Sequence, residues 1–358
     1  MKADPQRFLD WRWQMKHQLR DAKDYEGVLD ITRDEQLGLE NLGSIFKSGI
    51  TPYYAALVER FGSIIRLQAV PDIREMTNER GEKDPLREKD HSHVPEVVHA
   101  YPDRVAFCVA MLCPVYCRYC YRKRRDDEEG LHYNRSIIAR GIEYIAKTKS
   151  IRDVLITGGD PFIASDESIE HVLSEIAKIE HVEIVRFGTR TPVTLPYRIT
   201  PELCAMLAKY HPVWLNTHFN CAEEITPEAS LALRNLVDAG IPVGNQAVLL
   251  KGVNDTSERM AALCRKLVAN RVRPYYVFQP HRVVGADHFH VPVSQGMAIM
   301  RSLRGTLTGF AIPQYVLDTP GGKIPLTHNH ILGNEGNDLI LENLRGELWR
   351  EPQAMALH

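Results

Sequence analysis

No stretch of this 358-residue chain approaches the roughly eighteen consecutive apolar residues of a membrane span. The amino terminus, Met1 to Leu9, is polar and charged and lacks the apolar centre of a secretory signal. The protein is therefore expected in the cytoplasm, with no membrane partner. Net charge is nearly absent too: 44 basic against 46 acidic side chains leave −2, which gives no drive toward nucleic acid. A small-molecule partner is favoured. Internal repeats and low-complexity tracts are also missing, and the 44% hydrophobic and 25% charged fractions are those of an ordinary globular protein. The length exceeds one average domain but fits a single α/β barrel with additions.

Cysteine is scarce, and its placement is uneven. Cys108, Cys204, Cys221 and Cys264 are scattered without pairing logic, and all but Cys221 sit in apolar stretches where a thiol behaves as a small hydrophobe. The other three are concentrated in Cys113-Pro114-Val115-Tyr116-Cys117-Arg118-Tyr119-Cys120, directly after the apolar run Val105 to Leu112. Zinc sites usually show CxxC pairs and a fourth ligand of their own, which fits poorly. Three thiolates on one short loop can hold three corners of a four-iron cluster and leave the fourth iron open to an exogenous ligand. Redox chemistry is the first hypothesis, with a zinc site or a disulfide as the alternatives. Thiolates that must stay reduced also suit the cytoplasm.

From Arg104 onward, short β-rich runs alternate with amphipathic helical patterns, the signature of βα units around a parallel sheet. The strand candidates are Val105 to Val109, Asp153 to Thr157, Val182 to Phe187, Pro212 to Thr217, Val243 to Leu249 and Pro274 to Phe278. Helices are expected at Ser136 to Lys147, Glu167 to Ile179, Pro201 to Tyr210, Pro227 to Ala239, Ser257 to Ala269 and Ser294 to Leu303, several preceded by capping Ser, Thr or Asp. Apolar strands such as Val154-Leu155-Ile156 imply burial on both faces. Six units make a partial (βα)6 TIM-like barrel, whose site lies at the carboxyl ends of the strands. Residues 1–100 read instead as an accessory region: helices at Gln6 to Leu19, Asp34 to Phe46 and Pro52 to Phe61, then the charged stretch Thr77 to His93. Residues 101–310 form the barrel core, and 311–358 a C-terminal segment with Gly333 to Asn337 as a turn and Leu339 to Leu344 as a short β or helical run. Trp11, Trp13 and Tyr53 are expected as packing residues.

The strand ends carry the remaining candidates. Thr157-Gly158-Gly159-Asp160-Pro161 follows the second strand, and its paired glycines let backbone approach a ligand closely. Arg190 follows the third strand, Asn216 and His218 the fourth, and Asn245 and Gln246 lie on the fifth. Arg190 and Gln246 are expected to contact a cofactor; Asn216 and Asn245 could equally be satisfied core amides. Asp318-Thr319-Pro320-Gly321-Gly322-Lys323 delivers a lysine on a glycine-rich turn, the mobile approach that a Schiff-base lysine needs.

Together these motifs resemble the lysine 2,3-aminomutase family of pyridoxal phosphate-dependent radical S-adenosylmethionine enzymes. The resemblance runs from about Trp11 to Leu344. It includes Asp10-Trp11-Arg12-Trp13-Gln14, Ile50-Thr51-Pro52-Tyr53-Tyr54, Tyr101-Pro102-Asp103-Arg104, the cysteine loop with Arg122-Lys123-Arg124, His211 to Asn220 and Arg273-Pro274-Tyr275-Tyr276. It implies a [4Fe-4S] cluster on Cys113, Cys117 and Cys120, and S-adenosylmethionine held by Gly158, Gly159, Asp160, Arg190, His218 and Gln246. It implies pyridoxal 5′-phosphate in an imine with Lys323, its phosphate held by Arg104. Arg122 would grip the carboxylate of an amino acid substrate, while Lys123 to Arg125 could be only a solvated patch. The implied activity moves an α-amino group to the β-carbon through a 5′-deoxyadenosyl radical. An electron donor such as flavodoxin or ferredoxin is implied as a partner, and a homo-oligomer is open.

The chain also departs from the family pattern. Lysine-specific members hold the distal ammonium with two aspartates; Asp318 matches the second, but His281 stands at the first, where it brings no negative charge. Glutamate-specific members place a cation and an amide there, which matches no better. The glycine turn is about two residues short, Ala100 replaces an arginine of the phosphate grip, Phe278 replaces a tyrosine, and the cysteines of an intersubunit zinc site are missing. Rival readings are a lysine aminomutase serving modification of a translation elongation factor, a mutase for another amino acid, or a regulatory iron–sulfur or zinc protein.

Overall fold

The computed structural model describes residues 5–43, 45–76, 81–123, 134–336, 338–343 and 345–352. Arg124 and Arg125 of the basic run lie outside the described residues, as do Thr77, Asn337 and Leu344. Nine strands form one sheet in sequence order: β1 (Val97–Tyr101), β2 (Arg104–Ala110), β3 (Asp153–Gly158), β4 (Ile184–Gly188), β5 (Val213–Thr217), β6 (Val243–Val248), β7 (Arg273–Phe278), β8 (Gln314–Thr319) and β9 (Gly322–Pro325). Neighbours from β2 through β8 pair in parallel, whereas β1 and β9 are antiparallel flaps on the two edges. The partial barrel thus extends past the six expected strands, by β8 and by one hairpin strand on each side. Helices between the strands begin where expected because a side-chain oxygen takes an early backbone N–H: Asn134, Ser165, Thr200, Thr226 and Thr256 each cap one.

Strand parity decides what each side chain meets. On β3, Val154 and Ile156 are buried under the helices while Asp153, Leu155 and Thr157 face the barrel interior. Each fully buried aliphatic or aromatic residue of the outer layer, such as Ile156 or Phe187, contributes about 1.5–3 kcal/mol. The other face of the sheet differs from the expectation of burial on both sides: it lines a cavity.

The N-terminal region shares one buried cluster with the barrel, through Leu19, Tyr54 and Ile65 among others. The expected helix at Gln6 to Leu19 is two, Pro5–Phe8 and Trp11–Lys16, because Asp10 accepts the Arg12 N–H and starts a new helix. A short helix that was not expected, Ala22–Tyr25, follows, and the one expected to Phe46 spans Arg33–Leu42 and stops at Gly43. Tyr53 is buried as expected; Trp11 lies under the Arg12 and Arg198 guanidinium groups, and Trp13 stacks on His17. At the C-terminus, β10 (Ile331–Glu335), β11 (Asp338–Glu342) and β12 (Leu348–Pro352) form a separate antiparallel sheet. Gly333 therefore belongs to a strand rather than a turn, where it takes up a register shift against β11. Among the described residues, no helix is long and apolar enough to cross a membrane.

Candidate active site

A cavity of about 730 Å³ runs through the open barrel, and every site residue expected above lines it. These are Cys113, Cys117, Cys120, Arg122, Gly158, Gly159, Asp160, Arg190, His218, Gln246, His281, Asp318, Lys323 and Arg104. Asn216 lines it too, whereas Asn245 is a core amide that closes on both backbone groups of Phe219.

The cysteine loop leaves β2 and is clamped through its backbone groups by the N-terminal region. Gln18 donates to the Cys113 and Pro114 carbonyls, both at 2.8 Å. The Tyr116 N–H reaches the Gly49 carbonyl at 3.0 Å and the Arg118 N–H reaches that of Gln68 at 2.9 Å. Beneath the loop, Arg118 pairs with fully buried Glu75 through two bonds of 2.8 and 2.7 Å, and Lys123 joins the same carboxylate. Burial pushes the Lys123 amine down to about 8 against the pull of Glu75. With its donors on Glu75 and on the Arg118 and Gly285 carbonyls, Lys123 is a buried tie rather than a solvated charge.

The glycine pair approaches the chain itself. A Cβ at Gly159 would stand 2.5 Å from the Leu112 carbonyl oxygen and 2.6 Å from the Met111 carbonyl carbon, and one at Gly158 would strike the Ala110 carbonyl. Gly158 also holds φ +128°, open to glycine only. The end of β3 is thereby pressed against the start of the cysteine loop, with the Asp160 N–H on the Leu112 carbonyl at 2.8 Å. The Asp160 carboxylate accepts from the Thr189 hydroxyl at 2.6 Å and from the Phe162 and Arg190 N–H groups at 3.1 and 2.8 Å. Burial raises its pKa, against those bonds.

Arg190 is the hub of this end. Its Nη1 points at the Cys117 sulfur at 2.8 Å, and its Nη2 reaches Glu224 at 2.6 Å, Gln68 at 2.8 Å and the Tyr54 hydroxyl at 3.1 Å. Nε reaches the His218 carbonyl at 3.2 Å. Its donors are thus directed within the protein, toward the loop, rather than at open cavity. His218 stacks on Tyr119 with centroids 5.7 Å apart, and its buried Nε2 has no protein partner. Burial, helped by the Arg190 charge, pushes this imidazole down to about 3, so it is neutral.

The opposite wall carries the lysine. Lys323 Nζ lies 3.3 Å from the Asp318 carboxylate across the β8–β9 hairpin. Its backbone N–H donates to the Tyr101 hydroxyl at 3.1 Å, which bridges the edge strands β1 and β9. The Tyr101 and Phe278 rings lie 5.6 and 5.8 Å from Nζ, and Arg104 rests on the Tyr101 ring at 3.8 Å. Arg122 directs Nε and Nη2 at Glu88 (3.0 and 2.8 Å) and Nη1 at the Thr157 hydroxyl (3.3 Å). His281 lies against the Tyr121 ring at 4.8 Å, with its Nε2 buried and unpartnered. Burial lowers its pKa despite Asp318 nearby, which leaves a neutral ring.

A model of the Radical SAM superfamily matches residues 109–264, and one of lysine-2,3-aminomutase matches residues 300–356. The L-lysine 2,3-aminomutase of Fusobacterium nucleatum is 43% identical over 353 residues, which cover 96% of this chain and 83% of that protein. The one from Methanococcus maripaludis is 45% identical over 345 residues, 94% of this chain and 80% of its own. The chain belongs to the lysine 2,3-aminomutase family. The glutamate 2,3-aminomutase of Clostridioides difficile, 40% identical over 339 residues (93% and 80%), is a further relative. As a member of the lysine 2,3-aminomutase family, the protein is an isomerase, a radical SAM 2,3-aminomutase of an amino acid. Its cofactors are a [4Fe-4S] cluster, S-adenosylmethionine and pyridoxal phosphate. Membership favours an enzyme over a regulatory metal protein.

The residues present fit these groups. Among the described residues no three His, Cys, Asp or Glu side chains converge as the ligands of a single ion do, and thiolates on three corners of a cube stand farther apart than that. His218, whose buried Nε2 has no protein partner, lines the cavity beside the cysteine loop, and the Tyr101 and Phe278 rings flank the lysine that a flat pyridine ring would meet. Sequence reasoning missed Glu88, Thr157 as a partner of Arg122, Tyr101 as a support of Lys323, and the Glu224, Gln68 and Tyr54 partners of Arg190. Glu88 lies in a charged stretch without periodicity, and no local signal marks it.

Proposed function

We propose that the cavity takes an α-amino acid with a distal hydrogen-bond donor, L-lysine or a close relative, and moves its α-amino group to the β-carbon. The observation that carries this is the single cavity shared by Arg122, Lys323, the cysteine loop and the Asp318–His281 pair. When bound, the cluster and S-adenosylmethionine supply a carbon radical, and pyridoxal phosphate supplies the conjugated system through which nitrogen migrates. Cys113, Cys117 and Cys120 would hold the cluster; Gly158, Gly159, His218 and Gln246 would border S-adenosylmethionine. Asp160 and Arg190 would brace that border. Lys323 would offer its amine to the cofactor carbonyl, and Arg104 would hold the phosphate.

Arg122 supplies a planar cation for the substrate carboxylate. At the far end, Asp318 accepts a donor, and neutral His281 offers a lone pair or an N–H but no charge. A side-chain carboxylate would meet Asp318 without a compensating cation at position 281, which disfavours glutamate. The region 1–100 acts as a clamp on the cysteine loop, 101–310 as the catalytic barrel and 311–358 as the lysine-bearing segment. The reading places the protein in the cytoplasm, with its cluster reduced by a donor such as flavodoxin or ferredoxin.

Anaerobic incubation with each common L-amino acid, S-adenosylmethionine and reductant, with mass spectrometry for β-amino acids, tests the reading. Conversion of lysine or another donor-ended amino acid is expected. Deoxyadenosine accumulating with no amino acid converted would sink it.

A further inference from the structure

Arg122 is the cation assigned above to the substrate carboxylate, and the structure places a fixed anion against one edge of it. Glu88 is buried, 3% exposed, and its Oε1 takes both Arg122 Nη2 at 2.8 Å and Nε at 3.0 Å. The Tyr121 hydroxyl donates to the same oxygen at 3.2 Å. Nη1 leans on Thr157 at the end of β3. A guanidinium offers five N–H groups in one rigid plane. Glu88 occupies the Nε–Nη2 edge of that plane and Thr157 accepts from Nη1, which leaves the remaining N–H groups of the Nη1–Nη2 end for a carboxylate in the cavity that Arg122 lines.

Glu88 is itself held in place. It opens a short turn, Glu88–His91, whose first N–H groups, those of Glu88 and Lys89, go to the Asp84 carboxylate at 3.0 and 3.2 Å. The Ser92 hydroxyl reaches the Glu88 carbonyl at 2.7 Å. The same segment is stitched to the loop carrying His281, by Glu82 N–H on the Arg282 carbonyl (2.8 Å) and Val284 N–H on the Glu82 carbonyl (3.2 Å). One segment therefore sets the cation for one end of the substrate and borders the group at the other end.

We propose that Glu88 is a positioning residue, which aims the outer edge of Arg122 at the substrate carboxylate at the expense of binding strength. This rests on the role given to Arg122. Physically, a carboxylate on Arg122 reduces its attraction for a second carboxylate, so Glu88 weakens ground-state affinity. What it contributes is orientation, which appears in the rate. Its removal separates the two: affinity is kept or improved while turnover falls.

The test uses reconstituted holoenzyme and, as probes, the tightest-binding of the twenty common L-amino acids and its decarboxylated amine. Dissociation constants come from the change in pyridoxal absorbance, and kcat from β-amino acid formed. For Glu88→Gln we expect an unchanged or smaller amino-acid dissociation constant with kcat down by about a hundredfold. Glu88→Asp keeps the charge but draws the guanidinium aside, so kcat falls at unchanged affinity; it carries the test where Glu88→Gln fails to fold. Arg122→Lys is expected to weaken the amino acid on the order of ten- to a hundredfold and leave the amine unaffected. Unchanged kcat in both Glu88 variants, or affinity lost in step with kcat, overturns the positioning role while the Arg122 result stands. If Arg122→Lys leaves amino acid and amine equally discriminated, the role of Arg122 itself falls.

Discussion

Replacing Gly159 by alanine puts one methyl group where the chain has no room. The new Cβ would lie 2.5 Å from the Leu112 oxygen, 2.6 Å from the Met111 carbonyl carbon and 2.9 Å from the Leu112 nitrogen, all backbone atoms with no rotamer to swing away. Real side chains do not come within 3.0 Å of such atoms, so the Met111–Leu112 segment must retreat by about half an ångström or more. Overpacking of this kind costs about 1–3 kcal/mol. The retreat also stretches the bond from the Asp160 N–H to the Leu112 carbonyl, now 2.8 Å. That bond is worth about 1 kcal/mol, so the total is about 2–4 kcal/mol. For a chain of this length that lowers Tm by about 3–5 °C. Cys113 is the next residue, so bound iron and sulfide per chain after anaerobic reconstitution should fall, and turnover with them by about a hundredfold. Gly305→Ala is the control: its Cβ meets nothing within 4 Å, and alanine in that helix adds up to about 1 kcal/mol. A Gly159→Ala protein with wild-type Tm and iron content would refute the close-approach argument.

Lys323→Ala should abolish the pyridoxyl label that borohydride fixes on the peptide containing residue 323, with iron content unchanged; a label retained there or moved to Lys123 would remove Lys323 from its role. His281→Asp adds a second acceptor charge at the distal end and should tighten L-lysine binding on the order of ten- to a hundredfold. Unchanged lysine affinity would show that residue 281 does not face the distal group. Stability should fall in mild acid: burial pushes His218 down to about 3 and His288 to about 4 from the ordinary value near 6.5. The unfolded chain takes up these protons below about pH 6.5 while the folded chain refuses them, so stability is present above that pH and lost as pH falls toward 4. Between pH 7 and 5 the two rings should cost about 4 kcal/mol together, read as a lower urea midpoint of the apoprotein. A flat profile over that interval would contradict their burial.

The sequence by itself determined which chemistry is present: the CxxxCxxC loop after an apolar strand, the βα rhythm from Arg104 and the lysine on a glycine turn. These are local patterns, and backbone geometry turns local spacing directly into strands, helices and turns. Only the tertiary structure decided what those groups touch. The glycine pair reads alone as an approach to a ligand, yet its lack of Cβ serves the contact with residues 110–112. Arg190 reads as a cofactor contact, yet it ties Cys117 to Glu224 and to Gln68, 122 residues away. Arg122 is set by Glu88, 34 residues before it, and Lys323 is held at Tyr101, 222 residues before it. Buried charges must find partners, but chain closure lets the partner come from anywhere in the sequence. Spacing along the chain carries no record of that choice.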